Sequence, residues 1–263
     1  MMWLLLACGP SMIDDPLQDF PGTVGGLGLY QGDGVHARAE LYEPEWPLWS
    51  GGSVKTRWIV LPQGQELDDD GEFPIGTLFF KRFAYDDETV ETRVMRLGYL
   101  GWEFASYKGN RLWDADYGDV VDTPLGDHTL PARLECRSCH ESATQFVLGW
   151  DQATVDHDDP QSRQVLGYMQ GNCVSCHNGS GGPSSSFSML PEDAFDELIG
   201  VPTESSGSAS GLRVDPGSPQ TSVLYLGFSQ QTDDPEIEPM PPLGIDRIDE
   251  DGVALMRAWI ESL

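Results

Sequence analysis

The same five-residue pattern occurs twice in this chain, as Cys136-Arg-Ser-Cys139-His140 and as Cys173-Val-Ser-Cys176-His177. Two thiols at this spacing meet the two vinyl groups of one haem. The histidine that follows is then held under the iron as its proximal ligand. The ten residues therefore predict two covalently bound c-type haems, with Cys136, Cys139, Cys173 and Cys176 as attachment points and His140 and His177 as iron ligands. The competing reading is a four-cysteine zinc ribbon. Zinc does not require a histidine after both pairs, and 33 residues separate Cys139 from Cys173.

The chain has five cysteines, and the motifs use four. The fifth, Cys8, ends the run Leu5-Leu6-Ala7-Cys8, which looks like a bacterial lipoprotein processing site. The apolar run before it is short and has no preceding basic residue, so a chance cysteine in a short leader is the alternative. Together with c-type haem, this places the chain at the periplasmic or extracellular face, held to a bacterial membrane by a lipid on Cys8. No stretch of eighteen apolar residues is present, so no spanning helix is expected.

Charge narrows the partners. With 43 acidic and 15 basic residues the net charge is −28. Nucleic acid is a poor partner for such a surface, whereas a basic redox protein would be steered toward it. General surface acidity explains the same number.

By texture, residues 1–26 read as a lipoprotein-type leader and tether. Residues 27–125 read as a β-rich, sandwich-like domain of short strands and turns. Strands are predicted at 54–61 and 76–83. At 89–97, Val90, Thr92 and Val94 share one face and Glu91, Arg93 and Met95 the other. A hairpin turn is predicted at Lys108-Gly109-Asn110. Eight of the fifteen basic residues lie between Lys55 and Arg111, interleaved with acids. Cross-strand ion pairs are the first expectation, a docking face or haem-propionate contacts the second. Residues 126–159 hold the first haem motif in too little chain for an independent domain. Residues 160–263 read as an all-α cytochrome domain, with a helix opened by Pro160 and a final amphipathic helix that places Val253, Met256, Ile260 and Leu263 on one face.

Met240 lies between Pro239 and Pro241, 63 residues after His177. Flanking prolines stiffen a loop that would otherwise gain entropy by releasing a weak sulfur–iron bond. Met240 is therefore the expected sixth ligand of the second haem, and His/Met ligation suits electron transfer.

Several segments carry a resemblance. Cys-Val-Ser-Cys-His at 173–177, Arg213-Val-Asp-Pro-Gly-Ser-Pro, Ser222-Val-Leu-Tyr225, Met240-Pro-Pro-Leu-Gly and Leu255-Met-Arg-Ala-Trp-Ile260 make residues 160–263 similar to a small class I cytochrome c domain. More narrowly they resemble the planctomycete-type bacterial cytochrome domains. The resemblance implies His177 and Met240 as axial ligands, with Arg213, Tyr225 and Trp259 among the residues around the haem. A looser series runs through Pro47-Leu-Trp-Ser50, Lys55-Thr-Arg-Trp58, Phe73-Pro-Ile-Gly76, Glu91-Thr-Arg93, Cys139-His140 and Leu148-Gly149. It resembles a family of secreted bacterial haem proteins whose module in some members follows a quinone-dependent sugar dehydrogenase propeller. That makes a dehydrogenase one conceivable redox partner. No propeller accompanies the motifs here, so dehydrogenase activity does not carry over.

The first haem has no comparable distal ligand. His36, His128, His157, Met95, Met169 and Met189 are the candidates. Two functions follow from the alternatives: electron transfer by a closed dihaem cytochrome, or a haem enzyme such as a peroxidase at an open first iron. Nothing in the sequence marks an acid–base group for the second.

Overall fold

The computed structural model describes residues 11–113, 117–143, 146–150, 152–180, 187–203, 211–242 and 247–263. The chain is a mixed α+β protein, with an antiparallel sheet region followed by a helical part. It divides into two compact units, Met1–Tyr42 with Ser53–Pro124, and Glu43–Gly52 with Leu125–Leu263. Cys8 lies outside the described residues.

The first unit opens with α1 (Val24–Leu27) and a two-stranded pair, β1 (Tyr30–Gln31) and β2 (Gly34–Val35). Its main sheet runs in sequence order through β3 (Glu40–Leu41), β4 (Val54–Val60), β5 (Leu78–Tyr85), β6 (Glu88–Gly98), β7 (Gly101–Lys108) and β8 (Arg111–Trp113), every neighbour antiparallel. A further strand, β9 (Asp119–Thr123), follows. The main strands thus join into one six-stranded meander rather than being shared between two facing sheets.

One face of that sheet carries Trp58, Val60, Leu78, Phe80, Val94 and Tyr107. It is covered by Met12, Ile13, Leu27 and Leu29. Residues 11–26, whose Pro and Gly content suggested a tether, therefore put Met12 and Ile13 into the core, with Phe20 and Val24 packed against it. Burying each of these aliphatic side chains contributes about 1.5–3 kcal/mol. The segment is also tied by hydrogen bonds: Tyr107 donates to the Pro21 carbonyl at 2.8 Å and Arg96 to the Pro16 carbonyl at 2.9 Å. Along β8, the Leu112 N–H donates to the Gly22 carbonyl, so the segment also covers a sheet edge.

Register corrects one expected face. Phe83 pairs with Glu91 but Ala84 pairs with Thr89, so β6 holds an extra residue there. This bulge turns Val90 onto Phe83 and Tyr85, away from Thr92 and Val94. The expected cross-strand ion pairs are found at two places. Arg96 bonds Glu103 across strands, and Lys108 bonds Asp119. Arg93 instead pairs with Glu91 of its own strand, and Lys81 stands in register between Arg57 and Arg93.

The second unit contains β10 (Gly126–Leu130), α2 (Arg133–Glu141), α3 (Pro160–Asn172), α4 (Ala194–Leu198), a 3-10 turn at Pro219–Thr221, α5 (Val223–Ser229) and α6 (Glu250–Ser262). Pro160 opens α3 as expected, and the Asp159 carboxylate accepts from the Ser162 N–H at 2.7 Å. Asp249 caps α6 in the same way through Gly252. The core gathers Val165, Leu166 and Met169 of α3 with Leu198, Val214, Tyr225, Val253, Met256, Trp259 and Ile260. Leu263, expected on the buried face of α6, is exposed because the helix ends at Ser262.

The strap Glu43–Gly52 belongs to this unit. Its Trp46 lies on α3 where Gly167 and Gly171 leave room. A Cβ on Gly167 would come within 2.3 Å of the indole, and one on Gly171 within 2.5 Å of the Trp46 carbonyl oxygen. Gln152 fixes the strap from both sides, accepting from the Trp46 N–H at 2.9 Å and donating to its carbonyl at 2.6 Å. The Trp49 N–H donates to Asn172 Oδ1 at 2.7 Å.

Candidate haem-attachment sites

The second motif closes α3. The Cys173 N–H donates to the Met169 carbonyl at 2.7 Å. Cys176 and His177 then donate back to the Cys173 carbonyl at 3.1 and 2.9 Å. This tight turn brings both thiols and the imidazole onto one loop. Val174, between the cysteines, is buried in the core and anchors that loop. Burial, with the neighbouring Cys176, pushes the Cys173 thiol up to about 12. Burial and the nearby Arg213 charge lower the His177 pKa, so its ring is neutral at neutral pH, as an iron ligand must be.

Arg213 reaches this site through Phe187. The guanidinium lies 4.2 Å from the Phe187 ring centroid, whose ring in turn packs 4.6 Å from that of His177. Arg213 is fixed by the Glu197 carbonyl at 2.7 Å and carboxylate at 3.0 Å. Phe187 was not among the expected site residues. A lone phenylalanine after a Gly/Ser-rich stretch gives no periodic signal, so only the fold reveals its place.

Tyr225 and Trp259 lie in the same core, Trp259 stacked on Phe195 at 5.2 Å. Met240 sits against α5: its N–H donates to the Gly227 carbonyl at 3.0 Å, and its Cγ lies 3.8 Å from where a Gly227 Cβ would be. Met169, Met189 and Met256 are core side chains.

The first motif lies within α2. Cys136 and Cys139, one turn apart, share a helix face. Glu135 reaches back to the Ala132 N–H at 2.6 Å and holds the start of the helix. The decisive contact is at the other end. His140 Nδ1 lies 2.7 Å from the Phe146 carbonyl oxygen, an acceptor, so this nitrogen carries the proton. Nε2 is then the nitrogen with a lone pair, and the ring orientation is fixed. Metal-ligating histidines are held in this way.

The candidates for that iron's sixth ligand are dispersed. His36 and Met95 belong to the sheet unit, where His36 Nδ1 accepts from the Arg38 N–H. His157 accepts from the Asp159 N–H and packs on Phe195. His128 is buried on β10.

The residues fit covalent haem. None of the four motif cysteines forms a disulfide. The described residues contain no group of three or more His, Cys, Asp or Glu gathered as a metal ion requires, so the cysteines are not drawn together as in a zinc ribbon. Trp259 Nε1 is buried without a hydrogen-bond partner among the described residues. The indole nitrogens of Trp46 and Trp113 are in the same state. No described helix is long and apolar enough to cross a membrane. No family model, curated protein or solved structure matches the chain.

Proposed function

We propose that this chain is a dihaem c-type cytochrome that carries electrons between redox partners outside the cytoplasm. The single observation behind the reading is the repeated Cys-x-x-Cys-His pattern. The bond from His140 Nδ1 to the Phe146 carbonyl supports it, because it leaves Nε2 for iron. Haem, when bound, supplies one-electron exchange at its iron. The polypeptide's part is positional. The cysteine pairs would attach the cofactors, His140 would present Nε2 and His177 its imidazole, and Phe187 packs on the His177 ring.

In this reading residues 160–263 form a class I-type cytochrome domain, with Met240 as the thioether ligand and Arg213, Tyr225 and Trp259 around the haem. Export is part of the proposal, since c-type haem is attached outside the cytoplasm, and Cys8 is the proposed point of lipid anchoring. A surface carrying a net charge of −28 suits a basic electron-transfer partner.

The test is retention of haem. Acid–acetone treatment of protein matured in a host that attaches c-type haem should extract none of it. The alkaline pyridine spectrum should be that of thioether-bound haem. Colour that extracts completely, or zinc in place of iron, would reject the proposal.

A further inference from the structure

Asn178 follows the second motif directly. Its amide is buried and fully used. Nδ2 donates to the Ser142 carbonyl at 2.7 Å and to the Val174 carbonyl at 3.2 Å, while Oδ1 accepts from the Ser180 N–H at 3.0 Å. Val174 lies inside the second motif, and Ser142 lies two residues beyond His140 of the first. One side chain therefore ties the second motif to the segment that follows the first. The backbone beside it is equally fixed: Met189 donates to the His177 carbonyl at 2.8 Å, and Asn178 bridges to Ser188.

Among residues of this size only an amide does this. Two donors and one acceptor on one short side chain satisfy two carbonyls and one N–H together. Aspartate would keep the acceptor for Ser180 and set a carboxylate against two carbonyl oxygens. Leucine would leave all three backbone groups without this partner, at a cost paid only when they are buried. The clasp also limits separation. Asn178 is the residue next to His177, and only Glu141 parts Ser142 from His140. The two histidine Cα atoms therefore lie within about 20 Å of one another by chain geometry.

We propose that Asn178 is a positioning residue that holds the two attachment motifs as one interacting pair, so that electrons pass between the two irons inside the helical unit. The inference rests on the dihaem reading. With haem bound at both motifs, the chemistry the pair would supply is exchange of one electron between them, and the part of Asn178 would be to hold the two attachment segments. No bond is made or broken and no proton moves. A one-electron donor protein supplies the electron at one site, and an acceptor protein removes it at the other.

The experiment uses the full-length holoprotein, with magnetic-resonance spectra of the fully oxidised and half-reduced forms and a redox titration followed optically. The wild type should show mutual broadening of the two ferric signals, and reduction of one haem should shift the potential of the other. Asn178→Asp, which keeps the Ser180 turn but loses both donors, should lose this interaction while each haem keeps its own optical spectrum. Asn178→Leu should do the same. If one variant fails to mature, the other decides. Two haems that titrate and resonate independently in the wild type would overturn the inference and leave the dihaem function standing, as would variants that keep the full interaction. A protein without covalent haem would remove the function itself.

Discussion

Cys173-Val-Ser-Cys176-His177 closes a helix whose residues Val165, Leu166 and Met169 are buried in the core. Cys136-Arg-Ser-Cys139-His140 lies within α2, none of whose residues is buried. One pattern thus serves two supports. The second motif is part of the hydrophobic core of its unit. The first is a helix fixed at its ends, by Glu135 to Ala132 and by His140 to Phe146. On the proposed reading the five residues attach a cofactor, and their surroundings set the cost of losing it.

The sharpest way to break this contrast is to remove one attachment site at a time. Replacing Cys173 and Cys176 by serine should remove a cofactor attached beside the core that Val174 and Cys173 join. The helical unit should lose about 5 kcal/mol or more, a size reserved for damage to a core. Replacing Cys136 and Cys139 should leave that unit folded, with one haem fewer. Calorimetry and the haem content of the two variants check this, and equal losses would erase the distinction.

The strap gives the next effect. Gly167→Ala places a methyl group 2.3 Å from the Trp46 indole. Overpacking of this kind costs about 1–3 kcal/mol. Chemical denaturation followed by tryptophan fluorescence should show the loss, together with a change in the Trp46 environment.

Met240→Ala sharpens the comparison at the level of the iron. It should lower one of the two reduction potentials most and open only that iron to carbon monoxide. Optical titration of the variant with and without carbon monoxide reads both effects. If neither haem responds, Met240 is loop filler.

The smallest effects concern the helix caps. Asp249→Ala removes the cap on α6 and a 3.0 Å hydrogen bond from Tyr168, and should cost about 1 kcal/mol. Asp159 caps α3, and its hydrogen bonds from Ser162 hold its pKa below the usual 3.8. Between the folded value and 3.8 the unfolded chain binds more protons. The contribution of this cap is therefore complete above pH 3.8 and fades as the pH falls through the folded value. Asp159→Ala should lack this part of the acid dependence in denaturation curves measured from pH 6 to pH 2.

Much of this was legible in the sequence where a short pattern carries the physics. Pro160 at a helix start and the strand alternation from Thr92 to Met95 are of that kind. What was not legible depends on partners far along the chain. Met12 and Ile13 sit among prolines and glycines, and nothing local says that a sheet face waits for them. The turn of Val90 comes from one extra residue in the register, which alternation alone cannot locate. Trp46 packs on glycines over a hundred residues later, and a glycine in a helix signals weakness unless its neighbour is known. Phe187 and Asn178 gain their roles only once the loop after His177 has folded back onto Ser188.

The central claim is that both motifs bind haem covalently. Its most direct test is the intact mass of the protein purified from a host that matures c-type cytochromes. The account predicts the mass of the mature polypeptide plus two haems, falling by one haem when either cysteine pair is replaced. A wild-type mass equal to that of the polypeptide alone, or an addition that survives replacement of all four cysteines, would contradict it.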